Sequence, residues 1–84
     1  MGAIMLTLLH RVNPDKNEYR FYLVQVGAST IAPHAVLRLW GRIGGAQRGM
    51  VIPCDSPESA QALADKLIRL RLRHGYQIVS PEGR

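Results

Sequence analysis

The run Val36-Leu37-Arg38-Leu39-Trp40-Gly41-Arg42-Ile43 alternates with period two, the pattern of a β-strand with two unlike faces. It sets Leu37, Leu39 and Ile43 on one face and Arg38, Trp40 and Arg42 on the other. The chain's only tryptophan is therefore expected between two arginines, on the face opposite the aliphatic core residues. Residues 4–12 predict an earlier strand with Ile4, Leu6, Leu8 and Val12 on its apolar face, His10 near the end of that face, and Thr7 and Arg11 opposite. Asn13-Pro14-Asp15-Lys16-Asn17 stops it, because proline fixes φ and the Asx side chains bond back to the local backbone. A hairpin partner follows over 19–26, and the small, polar stretch 27–33 reads as a loop. Gly44, Gly45 and Gly49 bracket Ala46-Gln47-Arg48 as a tight or bulged connection to Met50-Val51-Ile52.

The period changes after Asp55. Ser56 can accept from an unpaired backbone N–H, Pro57 loses no bond at the first helical position, and Glu58 meets the positive end of the dipole. A helix is expected over 56–74, buried along Ala60, Leu63, Ala64, Leu67, Ile68 and Leu70, with Gly75 as left-handed cap. Arg71 falls within that stripe, its stem covering the core edge and its head reaching solvent, while Lys66, Arg69 and Arg73 form a solvent-facing line. Residues 76–79 can add a short closing strand. The expected fold is α+β: a small antiparallel sheet of about four strands with one amphipathic helix packed on one face.

Eighty-four residues leave room for one domain, 1–84, with a modest core. Hydrophobic content of 46% and charged content of 20% belong to a folded chain. Eleven Lys and Arg against six Asp and Glu give a net charge of +5, which favours a polyanionic partner. With Cys54 as the lone cysteine, neither an intrachain disulfide nor a thiolate zinc site can form, and a reducing cytoplasm is the expected location. The apolar start lacks a basic leader segment and is too short to cross a bilayer, so no membrane is expected. His10, His34 and His74 lack the paired spacing of metal ligands, and the carboxylates form no acid/base pair. Cys54 reads as a small apolar residue. No enzyme, metal site or cofactor is expected.

A ring flanked by guanidinium groups can stack on a sugar or base while the arginines pair with phosphate oxygens. The alternative is a tryptophan filling a small second core with arginines snorkelling around it. Arg38-Leu39-Trp40-Gly41-Arg42-Ile43-Gly44 resembles the defining motif of the WGR domain, found in DNA-dependent poly(ADP-ribose) polymerases and in small bacterial proteins. The strand Arg20-Phe21-Tyr22-Leu23-Val24-Gln25-Val26, Gln47 after the turn, the helix start at Asp55-Ser56-Pro57 and the pair Gly75-Tyr76 follow in the family's order, over about residues 17–79.

The resemblance implies a small antiparallel sheet with a helix, a Trp that packs on the sugar at a DNA strand end, and an Arg that helps to join DNA, domain and neighbouring domains. By position those roles fall on Trp40 and Arg42, with Arg20 near phosphate. Tyr19 stands where the break-binding members place an Asn, Asn17 lies two residues out of register, and Ala46 replaces the Gly before the Gln. An ADP-ribosyltransferase domain does not fit in this length. The expectation is a stand-alone, non-catalytic WGR domain binding nucleic acid, in the first place DNA and duplex ends among its forms. Its contact surface would be Arg20, Arg38, Trp40, Arg42 and Arg48, extended by Lys66, Arg69 and Arg73. The alternative is a protein-interaction module docking an acidic partner or completing a multiprotein assembly.

Overall fold

The computed structural model describes residues 5–27 and 34–81, the last two by backbone alone. Among them, strands β1 (Met5–Asn13), β2 (Glu18–Gly27), β3 (Ala35–Arg42), β4 (Gln47–Pro53) and β5 (Gln77–Pro81) form one antiparallel sheet in the order β4-β3-β2-β1-β5. One helix, α1 (Pro57–Arg73), joins β4 to β5. The α+β class is as expected. The strand count is five rather than about four, because the closing strand pairs with β1 along the far edge, with a register shift between Leu8 and Leu9.

The route of α1 follows from that order. β4 and β5 are opposite edges, so the connection must cross four strand spacings of about 4.8 Å, roughly 19 Å. Seventeen helical residues rising about 1.5 Å each cover roughly 25 Å, enough to carry the chain across in one element. A reciprocal box starts the helix: Ser59 N–H donates to Ser56 Oγ at 3.0 Å and Ser56 N–H donates to Ser59 Oγ at 3.1 Å. At the other end Tyr76 N–H donates to Arg71 O and Gly75 N–H to Leu72 O, the two bonds of a Schellman motif. Gly75 takes the left-handed φ of 91° that this turn demands.

Leu9, Tyr22, Val24 and Val36 from the sheet meet Ala60 and Ala64 from the helix, all six enclosed, with Leu63, Leu67 and Ile68 half-buried around them. The two alanines let the helix axis approach the sheet closely. Leu70, expected in this stripe, is instead 37% exposed. At about 100° per residue it lies well off the Ala60–Ala64–Leu67 line, which Arg71 continues. Arg71 is half-buried, and its guanidinium carbon lies 4.2 Å from the centroid of the Tyr22 ring.

The facing of two strands differs from expectation. On β1 the enclosed residues are Leu9 and Thr7, whereas Val12 is 51% exposed and Leu6, Leu8 and His10 are half-buried on the reverse side. Ile4 lies outside the described residues, as does most of the expected 27–33 loop. On β3, Trp40 was expected opposite the core. The register Leu9↔Tyr22↔Trp40 and Val26↔Val36 puts Trp40 on the face the helix covers, with Leu37 and Leu39 behind it. Alternation fixes which residues share a face but not which face receives the helix.

Candidate nucleic-acid interface

Directly opposed residues in an antiparallel sheet share a face, so the register builds the site row by row. Leu9, Tyr22, Trp40 and Arg48 make one row across β1 to β4. The next row toward the β1–β2 turn is Arg11, Arg20 and Arg42. Three guanidinium side chains on adjacent strands repel one another, and a carboxylate close to them offsets part of that repulsion. Glu18 is the nearby carboxylate, with Oε1 3.6 Å from Arg11 Nε and Oε2 3.9 Å from Arg20 Nε.

Two cavities open along these rows. The larger, about 530 Å³, is lined by Lys16, Asn17, Glu18, Tyr19, Arg20, Trp40, Gly41, Arg42 and Tyr76. The smaller, about 250 Å³, lies among Arg11, Arg20, Tyr22, Trp40, Arg71, His74 and Tyr76. Trp40, Arg20 and Tyr76 belong to both. Trp40 is half-buried: it packs against the core cluster, as the core-filling alternative has it, and also lines both cavities. The Schellman turn places Tyr76 here, where its ring meets Tyr22 edge-on at 6.4 Å.

The motif residues are held from several sides. Arg42 donates from Nη1 to Asn17 O and from Nη2 to Asn17 Oδ1, each at 3.2 Å, and its guanidinium carbon lies 5.2 Å from the Tyr19 ring centroid. Asn17 adopts the left-handed conformation, φ 54°, and so turns both oxygens toward the arginine. Tyr19, where the chain departs from the break-binding pattern, and Asn17, two residues out of register, thus both meet Arg42. Gly41 has its own reason: a Cβ there would collide with the carbonyl oxygen of Ala46, which accepts from Arg42 N–H at 3.3 Å. The motif glycine is what lets the β3–β4 turn close against the strand.

Arg38 is engaged within the fold. Its guanidinium carbon lies 4.8 Å from the Trp40 ring centroid, Nη1 donates to Tyr22 Oη at 3.4 Å, Nη2 reaches Met50 Sδ at 3.6 Å, and the enclosed Nε has no acceptor. It lines neither cavity. Arg42, which alternation put on one face with Trp40, and Arg20, which only the resemblance had named, line one cavity with Trp40, and Arg48 stands beside Trp40 on β4. Lys66, Arg69 and Arg73 are exposed on α1 and line neither cavity. Sequence reasoning missed Arg11, Arg71 and His74 as lining residues. Arg11 was within reach: once the hairpin closes with Asn13 opposite Glu18, Arg11 must face Arg20. Arg71 and His74 depend on how the helix crosses the sheet, which no local pattern specifies.

Among the described residues no three His, Cys, Asp or Glu are grouped to hold a metal ion, and no helix is long and apolar enough to cross a membrane. No solved structure matches the chain. An uncharacterized protein of Sinorhizobium fredii, y4dW, is 30% identical over 69 residues, which cover 82% of this chain and 34% of that relative. The chain therefore spans about a third of that protein's length. The WGR domain profile matches residues 5–83, nearly the whole sequence and every element of the sheet and helix described above, and the chain belongs to the WGR domain family.

Proposed function

We propose that this domain binds nucleic acid, DNA with duplex ends foremost, without catalysing a reaction on it. The observation that carries the reading is the arginine row Arg11–Arg20–Arg42 lying directly beside the Tyr22–Trp40 row. Cations on adjacent strands can pair with phosphate oxygens, and the cavity wall formed by Trp40 offers a flat surface to a sugar or an unstacked base. Arg20, Arg42 and Trp40 make the central contact and Arg11 and Arg48 flank it. Arg38 positions the ring. Lys66, Arg69 and Arg73 extend the charge along the helix and bind phosphate only in a ligand long enough to pass α1. A net charge of +5 suits such a partner, and a cytoplasmic location is part of the proposal.

The resemblance to the modules of DNA-dependent polymerases of ADP-ribose supports DNA over other polyanions. Titration of the protein with blunt, nicked and single-stranded DNA at two salt concentrations tests it. Salt-dependent binding to many sequences, tightest for DNA with ends, is expected. Absence of binding at low salt refutes the reading and favours the alternative, an acidic protein docked on the same cations.

A further inference from the structure

Glu18 offsets the arginine row, yet it also puts a negative charge in the wall of the cavity proposed for phosphate. It lines the larger cavity, where the other ionised side chains are Lys16, Arg20 and Arg42. Its side chain is 21% exposed, and Oε1 is enclosed without accepting a hydrogen bond. Neither neighbouring arginine satisfies it, since 3.6 and 3.9 Å bring attraction but no hydrogen bond. A phosphate entering beside it would be repelled. Oε1 is sealed on the Arg11 side, so a hydroxyl entering the cavity would donate to Oε2, which stands beside Arg20, because an ionised carboxylate can only accept.

Resting on the nucleic-acid reading above, we infer that Glu18 recognises a sugar hydroxyl next to a phosphate, so that the site selects a strand by the hydroxyl it bears. Phosphate oxygens pair with Arg20, Arg42 and Lys16, the sugar lies against Trp40, and the hydroxyl donates to the Glu18 carboxylate. A ribonucleotide 2′-hydroxyl and a 3′-hydroxyl at a DNA end share this chemistry. A hydroxyl–carboxylate hydrogen bond is charge-assisted, and the partial exposure of Glu18 reduces its net worth.

Fluorescence anisotropy with three blunt duplexes of one sequence tests the inference: one with 3′-hydroxyl ends, one with 3′-dideoxy ends, and one with a terminal 3′-deoxyribonucleotide that retains its 2′-hydroxyl. Wild-type protein should bind one or both hydroxyl-bearing duplexes about three- to tenfold more tightly than the dideoxy duplex, and the arm that gains identifies which hydroxyl is read. In Glu18→Ala the ratio should fall to about one while affinity for the dideoxy duplex rises, because a repelling charge is gone. Glu18→Gln, which keeps an acceptor oxygen, should retain part of the preference. Equal affinity of wild type for all three duplexes overturns the inference and leaves the nucleic-acid reading standing. A preference that persists in a folded Glu18→Ala also overturns it. No binding of any duplex by wild type overturns both.

Discussion

Trp40→Ala separates the structural and recognition roles of one ring. A fully enclosed Trp or Phe costs about 3–5 kcal/mol when truncated to Ala. Trp40 is half-buried, with one side on the core cluster and the rest in the walls of two cavities, so about half of that is expected, roughly 2 kcal/mol. Loss of the Arg38 guanidinium–ring contact at 4.8 Å adds about 0.5–1 kcal/mol. For a domain of this size a total near 2.5 kcal/mol lowers Tm by about 10–20 °C. An 84-residue chain at about 0.05–0.15 kcal/mol per residue has roughly 4–13 kcal/mol to lose from, so the variant should remain folded at low temperature. Binding measured there should weaken by about 1–3 kcal/mol, with little change in salt dependence, because a ring displaces no counterions. Thermal melts by circular dichroism and anisotropy titrations on the same sample give both quantities. An unchanged Tm would refute the packing argument, and unchanged affinity in a folded variant would remove Trp40 from the contact surface.

Arg42→Ala should shrink the slope of log affinity against log salt by about 0.7–0.9, the signature of one lost phosphate contact; an unaltered slope would mean that its bonds to Asn17 are its whole role. Gly41→Ala should destabilise by about 1–3 kcal/mol, since its Cβ meets the Ala46 carbonyl and the turn must shift; a melt within 2 °C of wild type, a shift of about half a kcal/mol or less, would show that the close approach is unnecessary. Ala64→Leu, enclosed in the core cluster, should cost a similar amount by overpacking, with a denaturation midpoint equal to wild type as the contrary result.

Local pattern alone determined much of this protein. Turn chemistry at residues 13–17 set the first hairpin, Ser56-Pro57 set the helix start, Gly75 set its end, and alternation put Arg38, Trp40 and Arg42 on one face of one strand. These features depend on backbone dihedrals and on neighbours within a few residues, so the sequence displays them directly. It also named the family through Trp40-Gly41-Arg42 and the landmarks around it. Only the tertiary structure decided which sheet face the helix covers. Both faces of β1 and β3 hold apolar residues, Leu6 and Leu8 against Leu9, Leu37 and Leu39 against Val36 and Trp40, so hydrophobicity could not choose between them. The choice depends on the path of α1 from one sheet edge to the other and on the small side chains of Ala60 and Ala64, which let it pack there. That crossing brings Arg71, His74 and Tyr76, more than 25 residues beyond the motif, beside Trp40, and the strand register brings Arg11 and Glu18 to the same place. Such neighbours are made by long-range pairing, and no window of sequence contains both partners.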